Sequence, residues 1–291
     1  MAQGKGESMR IRLSAYLQAA PLTAVFVGFF VLPIAIVIMV SFFDYRAYQL
    51  LIPTFTLQSY ADVFTSAVTY RTYLITLRLC VLVWALTLLL GFPMAYFLAF
   101  HVRSRAWQTV LLLLCTIPFW TSNVIRMIAW IPLLGRYGVV NTALQRLGVV
   151  DAPLEWLLYS EFAVVVGYLH VYTLFMIVPI FNAMLRIDRA LLEAAGDGGA
   201  TEWQTLWHVI VPLCKPGIII GSIFVIAAVM GDFVTVNILG GGQIASVGKA
   251  IVTELSYLQF PPAAANAMVL LLAVLLMLGL LIRCVDIRKE L

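Results

Sequence analysis

Six long apolar runs restrict the folds that are open to this sequence. A helix needs about 20 predominantly apolar residues to cross the hydrocarbon core of a membrane. Backbone groups in lipid must be hydrogen-bonded within the protein, so only helices and closed barrels cross it. The runs are continuous rather than alternating between apolar and polar residues, which favours helices. They cover approximately residues 19–43, 70–100, 109–130, 162–185, 217–239 and 263–282. The sequence therefore predicts an all-α polytopic membrane protein with six transmembrane helices.

The composition excludes an ordinary soluble domain. Hydrophobic residues make up 63% of the 291 residues and charged residues 11%, whereas soluble domains are about 45–50% apolar and about 25% charged. No polar stretch approaches the size of a domain, so we expect a single membrane-embedded unit. The net charge of +4 is attributed to membrane topology, because Lys and Arg accumulate on the cytoplasmic side of membrane proteins. No nucleic-acid partner is expected.

The distribution of Lys and Arg also predicts the orientation of the chain. Most of these residues fall on the side that holds both termini, which places the N- and C-termini in the cytoplasm. We expect cytoplasmic tails at residues 1–18 and 284–291 and a transmembrane domain at 19–283. The first apolar run is too long for the core of a signal peptide and is interpreted as a retained span.

The cytoplasmic segment at residues 186–216 has the pattern of two short helices joined by a glycine turn. Asp188 is a candidate N-cap for a helix over 189–195, and glycines at 196, 198 and 199 end it. Thr201 and Gln204 fit a capping box for a second helix, which Pro212 is expected to end. Trp203, Leu206, Trp207 and Ile210 are expected on one face of that helix. This pattern alone is compatible with an amphipathic loop at the membrane surface or with a docking element for a cytoplasmic partner.

A motif in this segment resembles the EAA loop of ABC-importer permeases. Glu193-Ala194-Ala195 is followed after three residues by Gly199. After nine more residues come Val209, one further residue, and then Val211-Pro212. In that family the segment forms a coupling helix that docks on a separate ATP-hydrolysing subunit. The resemblance implies that contact with such a subunit is made by Glu193, Ala194, Ala195, Asp197 and Gly199. The chain departs from its relatives at Gly196 and Gly198, where they usually carry a basic and a larger apolar residue.

Other stretches resemble the permeases of spermidine/putrescine importers, of the PotB type. They are residues 118–122 with 125–126, residues 137–141, and residues 231–234 with 239–241. The resemblance implies a type I ABC importer permease fold in a bacterial inner membrane. It implies a second, different permease chain, two ATPase subunits that hold ATP and Mg, and an extracytoplasmic solute-binding protein. The implied cargo is a polyamine or another small amine-bearing solute, although related permeases carry iron, opines or aminophosphonates.

The chain itself lacks the pattern of an enzyme. The nearest match to a phosphate-binding loop, Gly248-Lys249-Ala250, has Gln243 where the first glycine is required and Ala250 where Ser or Thr is required. Cys80, Cys115, Cys214 and Cys284 lie in or beside apolar runs and form no CxxC pair. We therefore expect no catalytic site, no metal site and no cofactor on this chain.

Asp232 is the main acidic candidate for a substrate path through the membrane. Ionisable residues within spans are costly and tend to face the interior of a helix bundle. Ammonium groups bind carboxylates and aromatic faces, so Trp120, Tyr172 and Phe175 are candidates beside Asp232. Two other roles are open for Asp232, pairing with an arginine or capping a broken helix. Arg126 is a further candidate, which could snorkel, pair structurally or select an anionic substrate.

A secondary transporter or channel driven by an ion gradient is the alternative class. Such a protein needs polar sites for a coupling ion near the membrane midplane, and only Asp232 is a serious candidate. The EAA segment favours the ABC importer, because a gradient-driven carrier has no use for a docking site for an ATPase.

Overall fold

A computed structural model describes residues 20–46 and 49–283 of the chain, and these residues are mainly helical. The predicted tails and Cys284 lie outside the described residues. One short hairpin departs from the all-α prediction; its antiparallel strands are β1 (Asp44–Arg46) and β2 (Gln49–Ile52). The helices are α1 (Ala20–Val40), α2 (Gln58–Thr65), α3 (Ala67–His101), α4 (Arg105–Thr116), α5 (Asn123–Leu134), α6 (Val139–Arg146), α7 (Glu161–Met184), α8 (Arg189–Asp197), α9 (Glu202–Leu213), α10 (Lys215–Gly231), α11 (Val234–Leu239), α12 (Val247–Ser256) and α13 (Phe260–Arg283).

The contacts divide the chain into two units, the smaller of which contains the described residues up to Phe64 together with Glu254–Met268. In this unit α1 is apolar along its length and its side chains are exposed. The helix ends at Ser41, whose hydroxyl donates to the Ile38 carbonyl (2.6 Å) and is hydrogen-bonded to the Tyr60 hydroxyl (2.7 Å). The Phe42 ring packs against Phe55 at 5.1 Å between centroids. The hairpin and α2 follow this turn in the chain.

The larger unit, Thr65–Thr253 with the described residues from Val269, is built on α3, α7 and α10. Small residues let α7 and α10 approach closely. A Cβ atom added at Gly217 would lie 2.6 Å from the Pro179 carbonyl oxygen, and one at Gly221 would lie 2.8 Å from the Met176 sulfur. These glycines are four residues apart on α10, the small-xxx-small spacing that brings membrane helices together. The core beside them includes the fully buried side chains Leu79, Val83, Tyr168, Met176, Ile180 and Val225.

The third predicted span, residues 109–130, is not one continuous helix. Helix α4 ends at Thr116, a 3-10 turn covers Ile117–Trp120, and α5 begins at Asn123. Pro118 lies in this turn, and a proline lacks the N–H that would continue the helical hydrogen bonding. The apolar run therefore consists of two helical pieces of 12 residues each, which an apolar count cannot distinguish from one span.

The described helices account for four or five of the six predicted spans. Among residues 20–46 and 49–283, four helices are long and apolar enough to cross a membrane: α1, α3, α7 and α13. A fifth candidate is the pair α9 and α10, which meet at an angle of 65°. The predicted total of six stays a prediction.

The fifth predicted span, residues 217–239, is interrupted close to its end. Helix α10 ends at Gly231, the backbone of Asp232 is extended (φ −76°, ψ 123°), and α11 begins at Val234. The start of α12 lies against this break, because a Cβ atom at Gly248 would be 3.1 Å from the Gly231 carbonyl oxygen. The N–H of Val247 donates to the Thr76 hydroxyl oxygen (3.0 Å), which joins the start of α12 to α3.

We expect Gly217→Ala to destabilise the larger unit by about 1–3 kcal/mol, because the added methyl group collides with the α7 backbone. Gly279→Ala in α13 is the matched control, since nothing lies within 4 Å of a Cβ atom there. It should leave stability unchanged or raise it by about 1 kcal/mol. Thermal unfolding of the purified variants in detergent measures both, and equal midpoints for Gly217→Ala and the unmodified chain would contradict the packing described.

Candidate functional site

The EAA segment, residues 186–216, contains α8 and the glycine turn that ends it. Asp188 caps the helix as predicted, since its Oδ1 accepts from the Ala190 N–H (3.0 Å). The helix continues to Asp197, two residues beyond the predicted end. Past it, the Ala200 N–H donates to the Ala195 carbonyl (3.0 Å), and Gly199 has a φ of +80°. This is the Schellman arrangement, whose left-handed residue is usually glycine, so the backbone conformation explains Gly199.

The second helix of the segment, α9, confirms the predicted capping box. The Gln204 N–H donates to the Thr201 hydroxyl oxygen (3.3 Å), and the Thr201 N–H donates to Gln204 Oε1 (2.8 Å). The prediction that Pro212 ends this helix is wrong by one residue, because α9 continues to Leu213 and bends into α10 at Cys214. A proline is tolerated there because only one hydrogen bond is lost near the end of the helix.

The side chains of the EAA segment divide between the core and the exterior. Leu192, Leu206 and Ile210 pack against the core of the larger unit. Glu193, Ala194, Asp197 and Gly199 are exposed, and Ala195 is half-buried.

The prediction of a single face for the α9 residues is therefore wrong. Trp203 and Trp207 are exposed and contact each other edge to face at 5.8 Å, whereas Ile210 is buried. A π-helical turn at Leu206–Ile210 changes the angular spacing of the side chains along α9. The segment consequently presents a surface of small, acidic and indole groups that the rest of the described chain leaves uncovered.

A second site lies at the break between α10 and α11, where the Asp232 carboxylate is buried and hydrogen-bonded. Its Oδ2 accepts from the Tyr172 hydroxyl (2.8 Å) and from the Thr235 hydroxyl (2.6 Å), and its Oδ1 accepts from the Thr235 N–H (3.1 Å). Asp232 is 8% exposed and forms no ion pair with any described residue. Of the roles left open by the sequence, this geometry corresponds to capping a broken helix.

An aromatic cluster extends from this carboxylate towards Arg126. Tyr172 stacks with Phe175 at 6.1 Å between centroids, and Phe175 contacts Phe119 edge to face at 5.1 Å. The Arg126 guanidinium carbon lies 5.6 Å from the centroid of the Phe119 ring. The structure thus brings Asp232, Tyr172, Phe175 and Arg126 into one connected cluster. Their assignment to a substrate path stays a prediction.

Trp120 does not join this cluster. Its side chain is 79% exposed and makes no ring contact with a described residue. Two residues that do belong to the cluster, Phe119 and Thr235, are not singled out from the sequence. The spacing of three residues between Asp232 and Thr235 is typical of a helix cap and its first-turn partner, so a search for internal caps could have found Thr235. No signal in the sequence distinguishes Phe119 from its aromatic neighbour.

The fold and these two sites define a polytopic helical membrane protein with an exposed helix–turn–helix between its apolar helices. Residues 87–287 match the family model for the binding-protein-dependent transport system inner membrane component. The chain belongs to this family, and it is therefore a permease component of an ABC importer. The EAA motif recognised in the sequence is typical of the family.

Curated relatives cover most of the chain. The spermidine/putrescine transport system permease protein PotB of Haemophilus influenzae is 34% identical over 228 residues, which cover 78% of each chain. PotB of Escherichia coli is 32% identical over 251 residues, covering 86% of this chain and 90% of the relative. The inner membrane ABC transporter permease protein YdcU of Escherichia coli is 31% identical over 198 residues, covering 65% of this chain and 63% of the relative.

Solved structures share the fold at lower sequence identity. A chain of a bacterial alginate ABC transporter, in complex with an alginate pentasaccharide-bound periplasmic protein, is 20% identical and covers 94% of both chains with a TM-score of 0.71. This likeness shows the fold alone. The similarities give no support to the alternative of a gradient-driven carrier.

We expect Tyr172→Phe to lower the free energy of unfolding by about 1–3 kcal/mol, because the variant removes a hydrogen bond to a buried carboxylate. Tyr168→Phe is the matched control on the same helix, since the Tyr168 side chain is buried and its hydroxyl makes no hydrogen bond with a described residue. Denaturant unfolding of both variants compares them directly. A loss of stability of the same size in both would show that the bond to Asp232 contributes nothing specific.

Proposed function

We propose that this chain is the permease subunit of an ABC importer for a polyamine or a similar small amine-bearing solute. An extracytoplasmic binding protein delivers the solute. A second and different permease chain completes the pore. Two separate ATPase subunits bind ATP and Mg and supply the energy, so this chain carries no cofactor of its own. The protein lies in the inner membrane of a bacterium. Its transmembrane domain comprises residues 19–283 with six spans, and both termini are in the cytoplasm.

The exposed EAA segment is the observation that carries the transport mechanism. Glu193, Ala194 and Asp197 are exposed beside the Gly199 turn, while Leu192 anchors the same helix to the core. Small side chains permit close approach by a partner, and the carboxylates offer acceptors for its donors. We assign the contact with the ATPase to these residues together with Ala195. Conformational change in the ATPase then reaches the spans through α9, which is continuous in the chain with α10.

The cargo is inferred from relatives and from the chemistry of the Asp232 cluster. The two PotB proteins are named for spermidine and putrescine transport. A carboxylate next to Tyr172 and Phe175 suits an ammonium group, which both carboxylates and aromatic faces attract. We therefore place Asp232, Tyr172, Phe175 and Trp120 along the path of the solute. The alginate transporters share only the fold, so their acidic polysaccharide does not bear on the cargo.

The cargo is tested by purifying the chain with the subunits that assemble with it and placing the complex in liposomes. Uptake of labelled putrescine and spermidine, driven by internal ATP, is expected only in the presence of the binding protein. Asp232→Asn should reduce uptake while the complex still assembles, because the charge that attracts an ammonium group is lost. A binding protein whose ligand lacks any amine would contradict the proposed polyamine cargo. Normal uptake by Asp232→Asn would exclude Asp232 from the path of the solute.

We expect Gly199→Ala to uncouple ATP hydrolysis from the solute while leaving the chain inserted. A non-glycine residue in the left-handed region costs about 1–2 kcal/mol, which lowers the population of the turn by a factor of about 5–30. Gly196→Ala is the matched control, since Gly196 lies inside α8 with no atom within 4 Å of an added Cβ atom. The measurement is ATP hydrolysis stimulated by the loaded binding protein.

Replacing Glu193 with Gln should reduce the same stimulation, because the exposed carboxylate is then absent from the docking surface. Insertion and thermal stability of the chain serve as the control readout. If stimulated hydrolysis and uptake are both normal in Gly199→Ala and Glu193→Gln, the EAA segment does not couple this chain to an ATPase.

A further inference from the structure

Arg126 is a buried cation to which the described chain offers no counter-ion. It lies in the first turn of α5 and is 9% exposed. Its Nη2 donates to the Thr121 carbonyl (2.9 Å), and its guanidinium carbon lies 5.6 Å from the Phe119 ring centroid. Its Nε is buried and has no hydrogen-bond partner. Within residues 20–46 and 49–283, no carboxylate lies within ion-pair distance of this guanidinium.

The N-terminus of α5 adds further unpartnered donors at the same place. Ser122 stands at the N-cap position, but its side chain makes no capping hydrogen bond. The Asn123 side chain has its Oδ1 buried without a partner, and rotation of the amide by half a turn would present its two N–H donors instead. Helix side chains lean towards the N-terminus, which is why the Arg126 guanidinium reaches back to Thr121. Asn123 and Arg126 are three residues apart on α5, a spacing that puts their side chains on the same face of the helix at its N-terminal turn.

The electrostatics of this site favour an anion. A buried charged side chain is costly unless it is paired and hydrogen-bonded, and the partial positive charge of a helix N-terminus adds to the guanidinium rather than compensating it. Asp232 belongs to the same cluster, but its oxygens already accept from Tyr172 and Thr235 and it does not contact Arg126. Within the described residues, the charge of Arg126 is therefore left without a compensating carboxylate.

We infer that Arg126, Asn123 and the first-turn amides of α5 form a binding site for a carboxylate that another molecule supplies. A single guanidinium matches a singly charged anion, and its planar fork is complementary to the two oxygens of a carboxylate. Two sources offer this group: an Asp or Glu side chain of the second permease chain, or a carboxylate on the cargo. The cargo source rests on the proposed function, because it assigns a carboxylate to a solute that also carries an amine.

The test uses Arg126→Met in the assembled complex of permeases, ATPases and binding protein. Methionine removes the charge and retains an unbranched apolar side chain. Arg136→Met is the control, because Arg136 is exposed and paired with Glu155. One readout is the fraction of the second permease chain that co-purifies with this chain. The other is competition by 4-aminobutyrate against uptake of labelled putrescine, two solutes that differ in one terminal group.

A carboxylate from the second permease chain predicts that Arg126→Met weakens association by about tenfold or more, as expected for removing one partner of a buried charge pair. A carboxylate on the cargo predicts normal association, with competition by 4-aminobutyrate weakened by about tenfold or more relative to the unmodified complex. Arg126→Lys should restore part of the association or competition that Arg126→Met loses, since lysine keeps the positive charge but lacks the planar fork of the guanidinium.

The inference is overturned if Arg126→Met leaves both association and competition unchanged, or if it stabilises the complex as removal of an uncompensated buried charge would. Should Arg126→Met fail to fold, Asn123→Leu keeps the charge and removes only the amide. Normal association and competition in that variant overturn the site equally. Failure of the unmodified complex to take up putrescine contradicts the proposed cargo instead, and the association readout still tests the carboxylate site.

Discussion

Close contact between α7 and α10 determines where both candidate sites lie. Gly217 and Gly221 place the α10 backbone directly against Pro179 and Met176 of α7. In lipid there is little hydrophobic force between helices, so contact of this kind depends on dispersion and on small residues. Helix α10 begins at the bend that joins it to the EAA segment and ends at the break that holds Asp232. One helix, fixed in place near its start, therefore connects the exposed surface to the buried carboxylate.

The two ionisable residues of the buried cluster satisfy their charges in different ways. The Asp232 carboxylate accepts three hydrogen bonds and thereby caps α11, so its charge is stabilised within the chain. The Arg126 guanidinium has one carbonyl acceptor and one aromatic face, and its Nε is unpartnered. A buried polar network is stable when every member has a partner. This difference indicates that Arg126, rather than Asp232, is the incomplete part of the cluster.

Local signals in the sequence predict local structure well, and they fail where the backbone breaks. Asp188, Thr201 and Gln204 act as caps as predicted, because capping depends on a few neighbouring atoms. The apolar run at residues 109–130 predicts one helix, yet an apolar count contains no information on the turn at Ile117–Trp120. The cluster of Asp232 with Tyr172 could be proposed from residue chemistry alone. The ring contacts of Phe119 with Phe175 and Arg126 depend on tertiary packing that periodicity does not encode.

The 65° joint at Cys214 has a mechanical consequence. Helix α9 is roughly 18 Å long and α10 roughly 25 Å at 1.5 Å per residue. Gly217, where α10 touches the α7 backbone, lies only three residues beyond the bend. This contact can therefore act as the pivot about which α9 and α10 tilt together. Any tilt of about 10° about that point moves the tryptophan end of α9 by roughly 3 Å and the carboxylate end of α10 by roughly 4 Å. Displacements of that size are comparable to the diameter of an ammonium group.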